Sequence, residues 1–159
     1  MGVEEFVTPG NWPGLLGVEV DAVVDACDQS SAKATLAAWS LKCGVPLVCV
    51  GAAGGKRLAQ RVEVEDLADT THDPLLAGLR QRLRKEGVAA RQGRIGVRCV
   101  FSRESVAPPV QNCDALGGSS AADGSLNCHG YGSSVTVTAT FGMVAAGVVL
   151  AWLQAGPTP

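Results

Sequence analysis

The chain has 159 residues, 47% of them apolar, which is enough to bury one core and too apolar for a disordered segment. Thirteen basic against fifteen acidic residues leave a net charge of −2, which excludes polyanion binding driven by total charge but not by a local patch. Six cysteines without a Cys-x-x-Cys pair point away from a structural zinc ribbon, and with no signal peptide they read as reduced thiols of a cytoplasmic protein.

In chain order, Phe6-Val7-Thr8-Pro9 is a short extended piece broken by proline, and residues 11–17 are loop-like. Val20, Ala22, Val23 and Val24 then form an apolar run that ends in Asp25 and Asp28. Ser30, Ser31 and a run of helix formers follow. That order predicts a buried strand, a tight acidic turn and a helix start. Asp28 has two readings. It is the helix N-cap, a favoured place for Asp. Or it is a carboxylate at the carboxyl end of a strand, where open α/β sheets bind ligands, placed to hold magnesium over a nucleotide phosphate. The helix should stop at Gly44, with Lys42 in its last turn and Pro46 just beyond.

Val45 to Val50 is continuously apolar, as in a strand buried on both faces. Gly51-Ala52-Ala53-Gly54-Gly55 follows, either a close backbone approach to a ligand or a plain tight connection. Arg61 to Leu67 alternates as a half-exposed strand, with Val62 and Val64 on one face. Asp73-Pro74 is an N-cap with proline at the first helical position. Leu75, Leu76, Leu79 and Leu83 then repeat at helical spacing up to Gly87.

The opposite helix face carries Arg80, Arg84 and Lys85, either a solvated face or part of a polyanion footprint. The second reading gains from distribution. Residues 75–98 hold seven bases against Glu86 alone, whereas residues 1–55 hold Lys33 and Lys42 against six acids.

Ile95, Val97, Cys99 and Phe101 predict a further strand. Ser102 to Ser134 is a long polar segment carrying Cys113, Cys128 and His129, and segments of that length are functional or disordered. Val135 to Leu153 has no charged residue and reaches the lower range for a membrane span. Its threonines and glycines, with no flanking basic cluster, favour a buried terminal helix packed on a sheet. Val135-Thr136-Val137-Thr138 also passes for a strand.

These stretches resemble a known family. Asp25-Ala26-Cys27-Asp28 with Lys33-Ala34, Gly51-Ala52-Ala53-Gly54-Gly55, Val64-Glu65-Asp66-Leu67-Ala68-Asp69-Thr70, Gly96-Val97-Arg98-Cys99-Val100-Phe101-Ser102 and Val137-Thr138-Ala139-Thr140-Phe141-Gly142 are similar to the bacterial tRNA threonylcarbamoyladenosine dehydratases. That family lies within the ubiquitin-activating-type adenylating superfamily. The likeness covers nearly the whole chain and only the C-terminal portion of the family. The glycine loop of its nucleotide-binding half has no match here, and Ala52 replaces a usual glycine. The implied fold is α/β, the C-terminal half of a Rossmann-like adenylating enzyme, with a mixed sheet and flanking helices in one domain over residues 1–159.

The resemblance implies ATP-dependent activation of the carboxylate of a threonylcarbamoyl group on tRNA, then cyclisation of the acyl adenylate with net loss of water. It implies ATP and magnesium as cofactors, with Asp28 at the ATP-bound magnesium and Lys33 beside the nucleotide. Cys128 falls on the family's crossover loop, here residues 102–134, as the candidate catalytic group. Arg80, Arg84 and Lys85 become candidate tRNA contacts. A cytoplasmic homodimer is implied for the full-length enzyme, with possible sulfur-transfer partner proteins and no stable membrane association. The chain alone is expected to be inactive. Two rivals remain, adenylation of a ubiquitin-like or sulfur-carrier protein and a non-catalytic binding or membrane-attached module.

Overall fold

The computed structural model describes residues 2–106 and 132–155. In chain order these form strand β1 (Val23–Asp25), helix α1 (Ser30–Cys43), strand β2 (Leu47–Val50), strand β3 (Val62–Asp66), helix α2 (Pro74–Lys85), strand β4 (Arg98–Ser102) and helix α3 (Val135–Ala155). The four strands make one mixed sheet in the order β1-β2-β4-β3. β1, β2 and β4 run parallel, and β3 runs antiparallel to β4, with Val64 opposite Val100.

The sheet is covered on both faces, which explains why β2 is apolar without alternation. Leu47 and Cys49 of β2, with Val97, Cys99 and Phe101, pack toward α1 and α2. Val48 and Val100 point the other way, onto Val137, Phe141 and Ala145 of α3. Each such side chain taken wholly out of water contributes roughly 1.5–3 kcal/mol, so the two layers fix register as well as stability: a one-residue slip would exchange the faces.

The helix punctuation follows the sequence. Gly44 takes a left-handed φ of 78° and donates its N–H to Ser40 O at 2.8 Å, a conformation only glycine adopts without strain. Asp73 caps α2 by accepting from Leu76 N at 3.0 Å, Pro74 occupies the first turn, and Leu75, Leu76, Leu79 and Leu83 are buried. Gly87 follows with φ 73°.

Two expectations change. β1 keeps only three residues, because Val20 and Ala22 lie before the pairing with β2 begins. Residues 135–138 are helical, not extended, and α3 is not a buried helix. Its stripe of Val137, Phe141 and Ala145 is buried at i, i+4, i+8, while Val135, Met143, Leu150 and Leu153 are exposed. By length and composition α3 could cross a membrane, yet that stripe is committed to the sheet.

Candidate functional site

Because β1 and β2 are parallel neighbours, both end on the same edge of the sheet, and the turns that follow them face each other across a cavity of about 430 Å³. Ala26, Cys27 and Asp28 after β1 form one wall. Gly51 to Gly54 after β2 form the second, and Gly132, Ser133 and Thr138 at the start of α3 close it with Phe141 and Leu75. A volume of this order suits a small-molecule ligand.

Asp28 is exposed to this cavity and does not cap α1. The N-cap is Gln29, and it makes no side-chain capping bond. Among the described residues, no hydrogen-bond donor or ion-pair partner meets the Asp28 carboxylate. The local reason is Asp25. It sits at the last strand position, 1% exposed, and accepts from Cys27 N at 3.0 Å, which tightens the turn and leaves Asp28 to project beyond it.

Lys33 stands elsewhere than the resemblance implied. It does not line the cavity. Its ammonium is fully buried, 2.7 Å from Asp25 Oδ2 and 3.0 Å from Val50 O. One positive charge thus ties the ends of β1 and β2 together from inside α1. A buried charge needs such pairing to exist at all.

The glycine-rich turn settles between its two readings in parts. A Cβ on Gly51 would collide with Asp73 Oδ2 and sit 3.1 Å from both Leu76 Cδ1 and Phe101 Cβ. The close approach at Gly51 is therefore to the cap of α2, and Asp73 also accepts from Ala52 N at 2.8 Å. Ala53 and Gly54 are the part left open to the cavity.

Beyond the turn, Lys56 is 2% exposed and donates to three carbonyls, Ser102 O at 2.8 Å, Glu104 O at 3.0 Å and His72 O at 3.2 Å. Burial lowers its pKa from the usual lysine value, against the pull of Asp73 and Glu104. His72 takes φ 59° in the same junction. Nothing in the pattern around Lys56 signals burial, and sequence reasoning passed it over.

Cys27, Cys49 and Cys99 are poor nucleophiles. Burial raises the thiol pKa of Cys27, and Asp25 raises it further; Cys49 and Cys99 are raised more strongly by burial in the core. Cys113, Cys128 and His129 lie outside the described residues. Among the described residues no group of three or more His, Cys, Asp or Glu gathers as a metal cluster. A carboxylate such as that of Asp28 is an oxygen donor of the kind magnesium takes.

The three basic candidates separate. Arg80 is committed to the fold, donating from Nη1 to Leu67 O, Thr70 O and Thr70 Oγ1 at 2.8–3.1 Å. Arg84 reaches Gly93 O at 3.1 Å, and Lys85 is exposed. All three lie on α2, which leads away from the cavity.

Comparison with known proteins finds relatives of one name. The chain is 40% identical over 148 residues to the tRNA threonylcarbamoyladenosine dehydratase of Escherichia coli (strain K12), covering 90% of this chain and 55% of the relative. It is 31% identical over 153 residues to the enzyme of the same name from Haemophilus influenzae (strain ATCC 51907 / DSM 11121 / KW20 / Rd), covering 93% of this chain and 56% of that protein. Over its matched length the chain is similar to about half of each of these tRNA threonylcarbamoyladenosine dehydratases. It spans about half the length of the curated relatives it matches.

The crystal structure of the E. coli enzyme in complex with ATP superposes with a TM-score of 0.79 at 37% identity, covering 96% of this chain and 56% of that one. The AMP complex gives a TM-score of 0.78 with the same coverage. No family profile matches the chain. The likeness confirms the expected α/β architecture, a mixed sheet with flanking helices, in the part that is matched.

Proposed function

We propose that this chain contributes the Asp28 wall of the nucleotide site in an ATP-dependent tRNA threonylcarbamoyladenosine dehydratase. The observation that carries the reading is Asp28 itself, a carboxylate projecting into a ligand-sized cavity at the carboxyl edge of a parallel sheet, with no capping role to account for it. The ATP and AMP complexes of the E. coli relative support a nucleotide as the occupant. The open backbone at Ala53 and Gly54 allows a phosphate close, and magnesium bound through Asp28 would offset phosphate charge.

Adenylation makes the substrate carboxylate reactive. A carboxylate oxygen attacks the α-phosphorus, pyrophosphate leaves, and the resulting anhydride has AMP as its leaving group. Ring closure onto the activated carbonyl then expels AMP, so that one water is lost overall from the threonylcarbamoyl group. In this reaction Asp28 holds the metal. The Asp25–Lys33 pair fixes the two turns, and the start of α3 with Phe141 shields the reacting end from water. Cys128 acts after adenylation, as nucleophile toward the activated carboxyl or as the group that positions it. The complete enzyme is a cytoplasmic homodimer, with tRNA as substrate and sulfur-transfer proteins as possible partners.

The test joins this chain in frame to the portion of the E. coli relative that it does not match. Product is read by mass spectrometry of the nucleosides after incubation with tRNA, ATP and magnesium. The fusion should form cyclised product and the chain alone should not. Asp28→Asn should lose about 10²-fold or more of the rate, the scale of one lost electrostatic contact at a reacting centre. A fusion with wild-type rate after Asp28→Asn would overturn the reading.

A further inference from the structure

The seven basic residues of segment 75–98 do not surround the candidate nucleotide site. α1 and α2 both start beside the carboxyl ends of the strands and run back across the sheet. The end of α2, the loop after it and the first residue of β4 therefore lie at the amino edge, opposite the cavity. Asp66, the last residue of antiparallel β3, pairs with Arg98 at that same edge.

Here a second cavity of about 320 Å³ opens between the last turn of α1 and the last turns of α3. Its wall includes Arg94, Arg98 and the indole of Trp152.

Three features make this more than a solvated face. First, the loop is built to display its arginines. The Asp66 carboxylate accepts Ile95 N at 2.9 Å and Gly96 N at 2.8 Å, and Arg84 holds Gly93 O. Arg94 is left with its side chain 74% exposed, only 3.5 Å from one Asp66 oxygen. Second, one acid stands here against several bases: Asp66, which also accepts the N–H of Ala68, forms an ion pair with Arg94 alone among the described residues. Arg98 has no hydrogen-bond or ion-pair partner among the described residues. Third, Trp152 lines the same cavity as Arg94 and Arg98, and an aromatic ring with arginines is the combination that takes a base and its phosphate together.

We infer that the amino edge of the sheet, through Arg91, Arg94, Arg98 and Trp152, is an RNA-binding surface separate from the nucleotide cavity. The arginines meet backbone phosphates and Trp152 stacks on a base. This rests on the RNA-modifying reading above and moves the contact from Arg80 to arginines whose guanidinium groups hold no backbone carbonyl among the described residues.

The experiment measures binding of an unmodified tRNA transcript to the full 159-residue chain by fluorescence anisotropy across a salt series. Arg91→Gln/Arg94→Gln/Arg98→Gln should bind at least about tenfold more weakly and flatten the slope of log affinity against log salt by about two to three, one unit for each lost phosphate contact. Trp152→Leu should weaken binding with the slope unchanged, because stacking releases no counterions. If the triple variant does not fold by circular dichroism, the double variant Arg91→Gln/Arg94→Gln, with both positions exposed, replaces it and should flatten the slope by about two. A control, Arg57→Gln/Arg61→Gln, alters two exposed bases on the segment leading into β3 and should leave the slope unchanged.

An unchanged slope in the arginine variants overturns the surface. So does a flattened slope in the control alone, or wild-type binding to anionic vesicles and not to RNA. None of these variants touches the Asp28 cavity. Product formation by the fusion therefore reports separately on the reading above.

Discussion

Lys33 Nζ lies 2.7 Å from Asp25 Oδ2, and both side chains are completely buried. The pair joins the first turn of α1 to the end of β1, and through Val50 O to the end of β2. Removing one member leaves a charge in the interior without its partner, which typically costs about 3–5 kcal/mol. Lys33→Met should therefore lower unfolding free energy in urea by that order, and the double variant Asp25→Leu/Lys33→Met by clearly less than the sum of the single losses. Additive losses in a double-mutant cycle would show that the pair is not coupled.

Gly51→Ala should destabilise the chain by about 1–3 kcal/mol, the scale of overpacking in a filled core. The new methyl would be driven against Asp73, Leu76 and Phe101. Because Asp73 would have to move, the caps of Ala52 N and Leu76 N go with it. Amide exchange in the first turn of α2 should rise more than in α1, which checks the direction of the damage.

A pH dependence follows from Asp66. Burial alone would raise its pKa, but hydrogen bonds from Ala68, Ile95 and Gly96 N–H, with Arg94 nearby, outweigh that and lower it. A carboxylate depressed in the folded state contributes stability that is fully present above its unfolded value, about 3.9. That contribution is lost as pH falls through the lower folded value. The stability gap between wild type and Asp66→Asn should therefore be widest above about pH 5 and shrink as the solution is acidified further. Denaturant melts at a series of pH values measure it; a gap that grows toward acid would contradict the assignment.

In the fused enzyme, Cys128→Ala should retain adenylate formation and lose most cyclised product, whereas Cys113→Ala should be close to neutral. Pyrophosphate release and nucleoside mass spectrometry separate the two steps. Wild-type product from Cys128→Ala would remove it from the chemistry.

What the sequence made legible is what local rules encode. Asp73-Pro74, the leucine spacing of α2 and Gly44 each act within a few residues, and the structure keeps them. The continuous apolar run gave β2 and the alternation of Ile95, Val97, Cys99 and Phe101 gave β4 for the same reason, since both patterns are local. The misplaced residues are those decided by distant partners. Lys33 looks like an ordinary helix lysine until β1 and β2 close around it. Lys56 draws on carbonyls 16 to 48 positions away, and Asp66 on amides about thirty residues ahead. Arg80, read as an outward base, is turned to Thr70 by the bend that follows β3. Asp28 shows the converse: its cap rule was sound, but Gln29 took the position.

If the arginine edge holds RNA and the Asp28 cavity the nucleotide, the separation of the two cavities sets a minimum size for the substrate. Two elements reach from one to the other: β2 through Val50 and Leu47, and α3, which lines the first with Thr138 and the second with Trp152. Those two side chains are fourteen helical positions apart, so roughly 20 Å of rod stands between them. A free modified nucleoside can fill one end and never touch the other. A polynucleotide held at the arginine edge must bend around the flank of the sheet, or reach across from a second subunit, to deliver its base. On that reading the fold would discriminate by length as well as by chemistry, and short oligonucleotides carrying the correct modified adenosine should be poor substrates for want of a grip.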